Sequence, residues 1–283
     1  MPAFFFCVAG ASKTSRSILR TMQIKVRAFG MLKDRLGEDA ISVYLLEDAT
    51  VGDLLAYFDA ESLRGIAVSV NAEYARASDV LREGDEVGLL PPVSGGRGPD
   101  EPAAGQTTAI PAGPAVTELN EYSAMALLLS GIKERVPVVS VGLQRDALDA
   151  AALTRQAKSA EDGAVVVFEG IVRNNSHGRR TLHLDYEAYE EMALAKMDAL
   201  GHEARERFGV RFVGMVHRLG RLEIGETSVL IVVSSAHRAP AYEASRWLID
   251  TLKKMVPVWK KESFEDGTVW ADGEPFPEGV GIA

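Results

Sequence analysis

Residues 85–100 read DEVGLLPPVSGGRGPD, a strand-like run that stops at two prolines and leaves a slim Gly-Gly tail. Proline has no backbone N–H to donate, so Pro91 and Pro92 end a sheet ladder that begins near Glu86. A Gly95-Gly96 tail of this kind does chemistry only through a free terminal carboxylate, yet Arg97 follows directly. From residue 97 to 117, Pro99, Pro102, Pro111 and Pro114 alternate with Gly98, Gly105 and Gly113, and almost nothing is available to bury. That is the composition of a flexible linker. The stretch therefore divides the chain into two compact regions joined by a tether.

Upstream of it, Ile24, Val26 and Ala28 alternate with Lys25 and Arg27 as in a half-buried strand, and a second strand is expected over residues 41–45. Thr50 with Asp53 three residues on has the form of a capping box before Leu54, Leu55 and Phe58, so a helix starts there. Strands over 66–70 and 86–90 follow, with Glu83-Gly84-Asp85 as a turn. Two strands, a helix and two strands within residues 22–96 predict a small α+β sheet gripping one helix. Residues 1–21 hold a short apolar run before Lys13, Arg16 and Arg20, the reverse of a secretory signal's order. They read as a disordered extension or a start assigned too early, the folded part beginning near Met22.

Downstream, residues 118–135 allow a short helix around Met125 to Leu129 with no assigned role, and the second region starts near Val138. Helical spacing over 146–159 precedes a buried strand over 163–173 and a polar loop at 174–180. In the returning strand Leu182, Leu184, Tyr186 and Ala188 are expected to share one face. A helix over 190–208, strands over 211–218 and 228–235, and a helix from 240 to 255 follow, the last ended by Pro257. A final strand pair turns at Asp266-Gly267. The pattern predicts a second α+β domain with a mainly antiparallel or mixed sheet.

Composition narrows the function. A hydrophobic content of 47% is that of a globular chain, and a net charge of -9 excludes a broad nucleic-acid face. Cys7 is the only cysteine, so no intrachain disulfide or cysteine-based zinc site can form, which fits a reducing, cytoplasmic setting. No apolar run reaches the roughly 18 residues of a membrane span. The five histidines lack metal-ligand spacing, and GxGxxG after a strand, GxxxxGK(S/T), HExxH and GxSxG are all missing.

What remains is three clusters of cations at the ends of apolar elements. Arg173 ends a strand before Asn174-Asn175, His237-Arg238 stands where a strand hands over to a helix, and Lys253 and Lys260 flank Pro257. A helix N-terminus with Arg238 beside it is suited to a phosphate or carboxylate. Lys253 falls in a last helical turn, where the dipole favours a cation, but Lys260 lies on an extended segment and needs another explanation. Cations converging on a partly dry site disfavour one another's charged form, which suits a lysine to proton transfer or nucleophilic attack.

Residues 22–96, ending in DEVGLLPPVSGG, resemble the small, ubiquitin-like (β-grasp) subunit of molybdopterin synthase. Residues from about 140 to 275 resemble its large subunit through EDGAVVVFEGIVRN (161–174), HRLGRLEIGE (217–226), SSAHRAPAYEA (234–244) and LKKMVPVWKKE (252–262). The resemblance implies a β-grasp domain at 22–96, a linker at 97–137 and an α/β-hammerhead-like catalytic domain at 138–283. It also implies insertion of two sulfurs into cyclic pyranopterin monophosphate, with no tightly bound cofactor. Sulfur would arrive as a thiocarboxylate on Gly96, made by an ATP-dependent adenylylating enzyme, which requires cleavage between Gly96 and Arg97. The implied pocket comprises Ile171, Val172, Arg173, His237, Arg238, Lys253, Lys260, Lys261 and Glu262, with Lys253 and Lys260 catalytic. Past Trp270 the acids of Ala271-Asp272-Gly273-Glu274 stand where the family places a basic residue. A homodimer through the large domain is expected, with neither nucleic acid nor membrane as partner. The competing expectation is a synthase served by a separate small subunit, its own ubiquitin-like domain acting as a scaffold.

Overall fold

The computed structural model describes residues 20–37, 40–58, 63, 65–93, 138–273 and 276–277. The expectations for residues 1–19, the 125–129 helix, the Gly96-Arg97 junction and the linker lie outside the described residues.

In the first domain, β1 (Thr21–Ala28) buries Met22, Ile24, Val26 and Ala28 on one face, as alternation requires. It pairs antiparallel with β2 (Ala40–Leu46) and parallel with β5 (Glu86–Leu90), and β5 pairs antiparallel with β3 (Ala67–Val70), whose other neighbour is β4 (Glu73–Ala75). The five strands run in the order β2-β1-β5-β3-β4. Between β1 and β2 lies α1 (Met31–Leu36), a helix too short to show a period in the sequence. The gripped helix, α2 (Val51–Leu55), begins with the capping box: Thr50 accepts from the Asp53 N–H and Asp53 accepts from the Thr50 N–H.

The second domain has two sheets. The first runs β6-β10-β12-β7, built from β6 (Val139–Gln144), β10 (Phe212–Arg218), β12 (Thr227–Ser235) and β7 (Ala164–Ile171). β6 and β10 are parallel and the other pairs antiparallel, so the sheet is mixed. The second runs β11-β9-β13-β14, from β11 (Gly220–Glu223), β9 (Arg179–Ala188), β13 (Val258–Phe264) and β14 (Gly267–Trp270), with the two-residue β8 (Asn175–Ser176) on β9. The polar loop expected at 174–180 is thus a tight hairpin, turned by His177 at φ 49° and Gly178 at φ 77°.

Helices α4 (Glu190–Phe208) and α5 (Arg238–Met255) cover one face of the first sheet, sharing a core of Met197, Leu200, Met215, Ile231, Leu248 and their neighbours. On the opposite face, α3 (Ala150–Ala157) packs Leu153 and Ala157 against Phe212, Leu230 and Val232. It is shorter than the 146–159 expectation because Asp149 accepts from the Ala152 N–H and starts the helix there.

One expectation about a face is corrected. Strand β9 carries a bulge, and Leu182 is exposed instead of sharing the inward face of Leu184 and Tyr186.

Candidate active site

A cavity of about 270 Å³ opens where the two sheets of the second domain meet the C-terminal end of α5. Its walls follow strand parity. From β13 come Val258, Lys260 and Glu262, each two residues apart, and from β9 come Leu184 and Tyr186. β7 and its continuation supply Ile171 and Arg173, β8 supplies Asn175 and Ser176, and the last turns of α5 supply Leu252 and Lys253. The lining mixes apolar side chains such as Phe168, Val229, Leu252 and Val256 with the polar groups of Arg173, Ser176, Lys260 and Glu262.

On the cavity wall Lys260 Nζ lies 2.7 Å from Glu262 Oε1, with side chains 16% and 7% exposed. Burial pushes the Glu262 carboxyl up, but hydrogen bonds from Lys260 and Ser176 and the Lys260 charge outweigh it, and the group stays below the usual carboxylate range. Deeper in, burial pushes the Tyr186 hydroxyl up despite the nearby Lys260 charge. The His217 ring meets Tyr186 edge-on at 5.0 Å between centroids. Burial holds that imidazole down to about 4, so it is neutral near pH 7. His217 Nδ1 lies 2.9 Å from the Arg218 carbonyl, which can only accept, so Nδ1 carries the proton and Nε2 the lone pair.

The structure brings Ile171, Arg173, Lys253, Lys260 and Glu262 together on this cavity and leaves four expected residues elsewhere. Val172 is buried with Leu184 and Leu222, in a separate cluster. Lys261, one residue from Lys260, takes the opposite parity: it sits 3.7 Å from Asp34 and 5.1 Å from the Trp270 ring centroid. His237 is the N-cap of α5 and Arg238 its first residue, whereas Lys253 is in its last turn. At 1.5 Å per residue these helix ends are about 22 Å apart. His237 and Arg238 therefore do not line the cavity of their own chain. Residue parity along 258–262 would have excluded Lys261 from sequence alone. His217, Tyr186, Ser176 and Thr181 carried no local signal, because each is polar in a segment that reads as ordinary strand or hairpin.

The outer face of the same sheet receives the first domain. Phe29 stacks between Tyr189 and Trp259, at 4.6 and 5.3 Å between ring centroids, within a cluster that also takes Ala67, Ala72, Leu90 and Met192. The Arg27 guanidinium lies 5.0 Å from the Phe29 ring centroid. Gly30, at φ 51°, lets the backbone come in: a Cβ there would stand 3.0 Å from Trp259 Cγ. The tail is held by its backbone, since Trp259 Nε1 donates to the Pro91 carbonyl at 3.0 Å. Gly273 passes so close to the Pro92 carbonyl that a Cβ there would collide with its oxygen. Tyr74 donates to the Met255 carbonyl at 2.8 Å, Trp270 Nε1 to Asp34 at 2.8 Å and Lys196 to Glu73 at 2.6 Å. Glu86 accepts from Lys25, Arg27 and Tyr189 together. Burial pushes its carboxyl up, but these partners prevail and leave it at about 2.

Among the described residues no group of three His, Cys, Asp or Glu side chains could hold a metal ion, and no helix is long and apolar enough to cross a membrane.

Residues 143–255 match the MoaE protein family and residues 26–96 the ThiS family. The molybdopterin synthase catalytic subunit of Halalkalibacterium halodurans is 47% identical over 122 residues, which cover 42% of this chain and 78% of that protein. That of Pyrococcus abyssi is 44% identical over 116 residues, 41% of this chain and 78% of its own length. A solved structure of the complex of subunits 1 and 2 of molybdopterin-converting factor from Helicobacter pylori is 27% identical, covering 51% of this chain and 99% of that chain, with a TM-score of 0.42. The chain belongs to the molybdopterin synthase catalytic subunit family, enzymes of molybdenum cofactor biosynthesis, and carries a ThiS-family β-grasp domain ahead of its MoaE domain.

Proposed function

We propose that the cavity binds cyclic pyranopterin monophosphate and that two Gly96 thiocarboxylates in succession, on tails freed by cleavage of the Gly96–Arg97 bond, each deliver one sulfur to it and are released by water as carboxylates. The observation that carries this reading is the placement of adjacent residues on β13. Trp259 holds the Pro91 carbonyl of the tail on the outer face, while Lys260 lines the cavity on the inner one. Ser94, Gly95 and Gly96 lie outside the described residues.

Arg173 offers a fork of donors to the substrate's phosphate. Once the thiocarboxylate sulfur has bonded to the substrate, water attacks the Gly96 carbonyl and the C–S bond breaks to leave the sulfur on the substrate and a carboxylate on Gly96. Lys260, held by Glu262 at 2.7 Å, and Lys253 at the helix end supply ammonium donors for the negative charge that develops on the acyl oxygen. Lys260 and Lys253 also serve the later proton transfers. His237 and Arg238, some 22 Å from Lys253 by helix rise, serve the cavity of a second copy in a homodimer. An amide cannot be adenylylated, so the activating enzyme acts only after the chain is cut.

The test is the intact mass of protein purified from its native host, combined with an assay for molybdopterin formation. A fragment ending at Gly96 and carrying sulfur is expected. An uncut chain that is fully active without any separate small subunit would defeat the cleavage step. Activity only on adding a separate thiocarboxylated small subunit would leave the fused domain a scaffold.

A further inference from the structure

Strand β9 does not alternate regularly, and the irregularity falls at the cavity. Glu262 pairs with Leu184 and Ser263 with His183, but Phe264 pairs with Thr181, so Leu182 is the extra residue of a bulge. In a regular strand, Leu182 would follow Tyr186 and Leu184 on the cavity face, and Thr181 would point away. The bulge exchanges them: Thr181 is 3% exposed and lines the cavity, while Leu182 is 38% exposed.

Among the described residues, Thr181 Oγ1 is buried with no hydrogen-bond partner. Its own backbone N–H donates to the Asn174 carbonyl at 3.0 Å, which sets it beside the segment that carries Arg173, Asn175 and Ser176. Ser176 is already committed to Glu262, whereas the Thr181 hydroxyl is not committed to any group among the described residues. A buried hydroxyl left unmade costs stability, and valine fills the same volume without that cost. A fold that bends a strand to put such a hydroxyl on a cavity wall has placed it for a ligand. Beside an arginine the complementary ligand group is an oxyanion, to which a hydroxyl rotor can donate.

We propose that Thr181 is a substrate-contacting residue whose Oγ1 donates a hydrogen bond to an anionic oxygen of the substrate at the end of the cavity lined by Arg173. This rests on the pterin-phosphate reading above.

The test uses the full chain with Thr181→Val and Thr181→Ser, measuring equilibrium binding of cyclic pyranopterin monophosphate and, without ligand, the urea unfolding midpoint. Thr181→Val should bind about tenfold more weakly, the scale of one hydrogen bond to a charged acceptor, while its unliganded midpoint is no lower than wild type. Thr181→Ser should bind as wild type. If Thr181→Val binds as tightly as wild type, the assignment falls. It falls too if affinity and midpoint drop together in both variants, since the role is then structural. A wild-type chain that fails to bind the pterin phosphate overturns the reading of the cavity and this proposal with it, whereas wild-type binding with an indifferent Thr181→Val overturns this proposal alone.

Discussion

Neighbouring residues on β13 do opposite work. Lys260 and Glu262 face a cavity in which polar groups answer one another, and Trp259 and Lys261 face a docked domain. The inner face relies on charge held by partners, such as the Lys260–Glu262 pair. The outer face relies on aromatic area, with Phe29, Tyr189 and Trp259 in one stack and charges at its margin. A strand can do both because its side chains alternate, so chemistry and docking share a backbone without sharing a surface.

Variants on the two faces should fail differently. Lys260→Ala, and equally Lys253→Ala, should lower molybdopterin formation by about 100-fold or more with folding intact, measured on the full chain with a thiocarboxylated small domain supplied. Normal sulfur transfer in Lys260→Ala would remove that lysine from the mechanism. If the chain forms the proposed homodimer, mixing Lys253→Ala with Arg238→Ala chains should restore about a quarter of wild-type activity, because half the dimers are then mixed and each has one complete site of two. No recovery would return His237 and Arg238 to a role outside the cavity.

On the outer face, Trp259→Ala should cost about 3 kcal/mol in denaturant unfolding, as for other buried aromatics, and free the small domain to limited proteolysis. Unchanged protection would mean that the stack does not hold the domains together.

The faces should also separate by pH. The His217 imidazole is held down at about 4 by burial, against an ordinary 6.5. The unfolded chain takes that proton first, so the stability His217 contributes is complete above about pH 6.5 and is lost as pH falls towards 4. Glu86, at about 2 against an ordinary 4.5, keeps its contribution above about pH 4.5 and loses it as pH falls towards 2. Thermal midpoints across this range should lose the upper step in His217→Gln and the lower one in Glu86→Gln. A single step common to both variants would contradict the separation. Smallest of all, Lys196→Ala removes an ion pair whose Glu73 partner is 69% exposed and should shift stability by less than about 1 kcal/mol, read from the same denaturant curves.

Elements with a strong local cause were legible in advance. The β1 alternation, the Thr50–Asp53 box and the 190–208 helix are each set by residues within a turn or two of one another. Short pieces were not: α1, β4 and β11 span six, three and four residues and exist because a neighbour pairs or packs with them. The site divides in the same way. Arg173, Lys253, Lys260 and Glu262 stood out as charges at the ends of apolar elements, and the fold gathers them on one cavity. Lys261, His237 and Arg238 stood out for the same reason and lie elsewhere, since charge at an element's end does not say which way the end points.

The sequence by itself determined that there are two α+β domains, that a Gly-Gly tail interrupted by Arg97 lies between them, and which family motifs each carries. Composition, period and spacing are local properties and survive without a third dimension. Only the tertiary structure decided that Trp259 holds the tail while Lys260 faces the cavity, that a bulge gives Thr181 the place of Leu182, and that α5 parts Arg238 from Lys253. Those outcomes depend on strand register, a one-residue irregularity and a helix's length in space, and the pairing and packing that set them come from residues far apart in the chain.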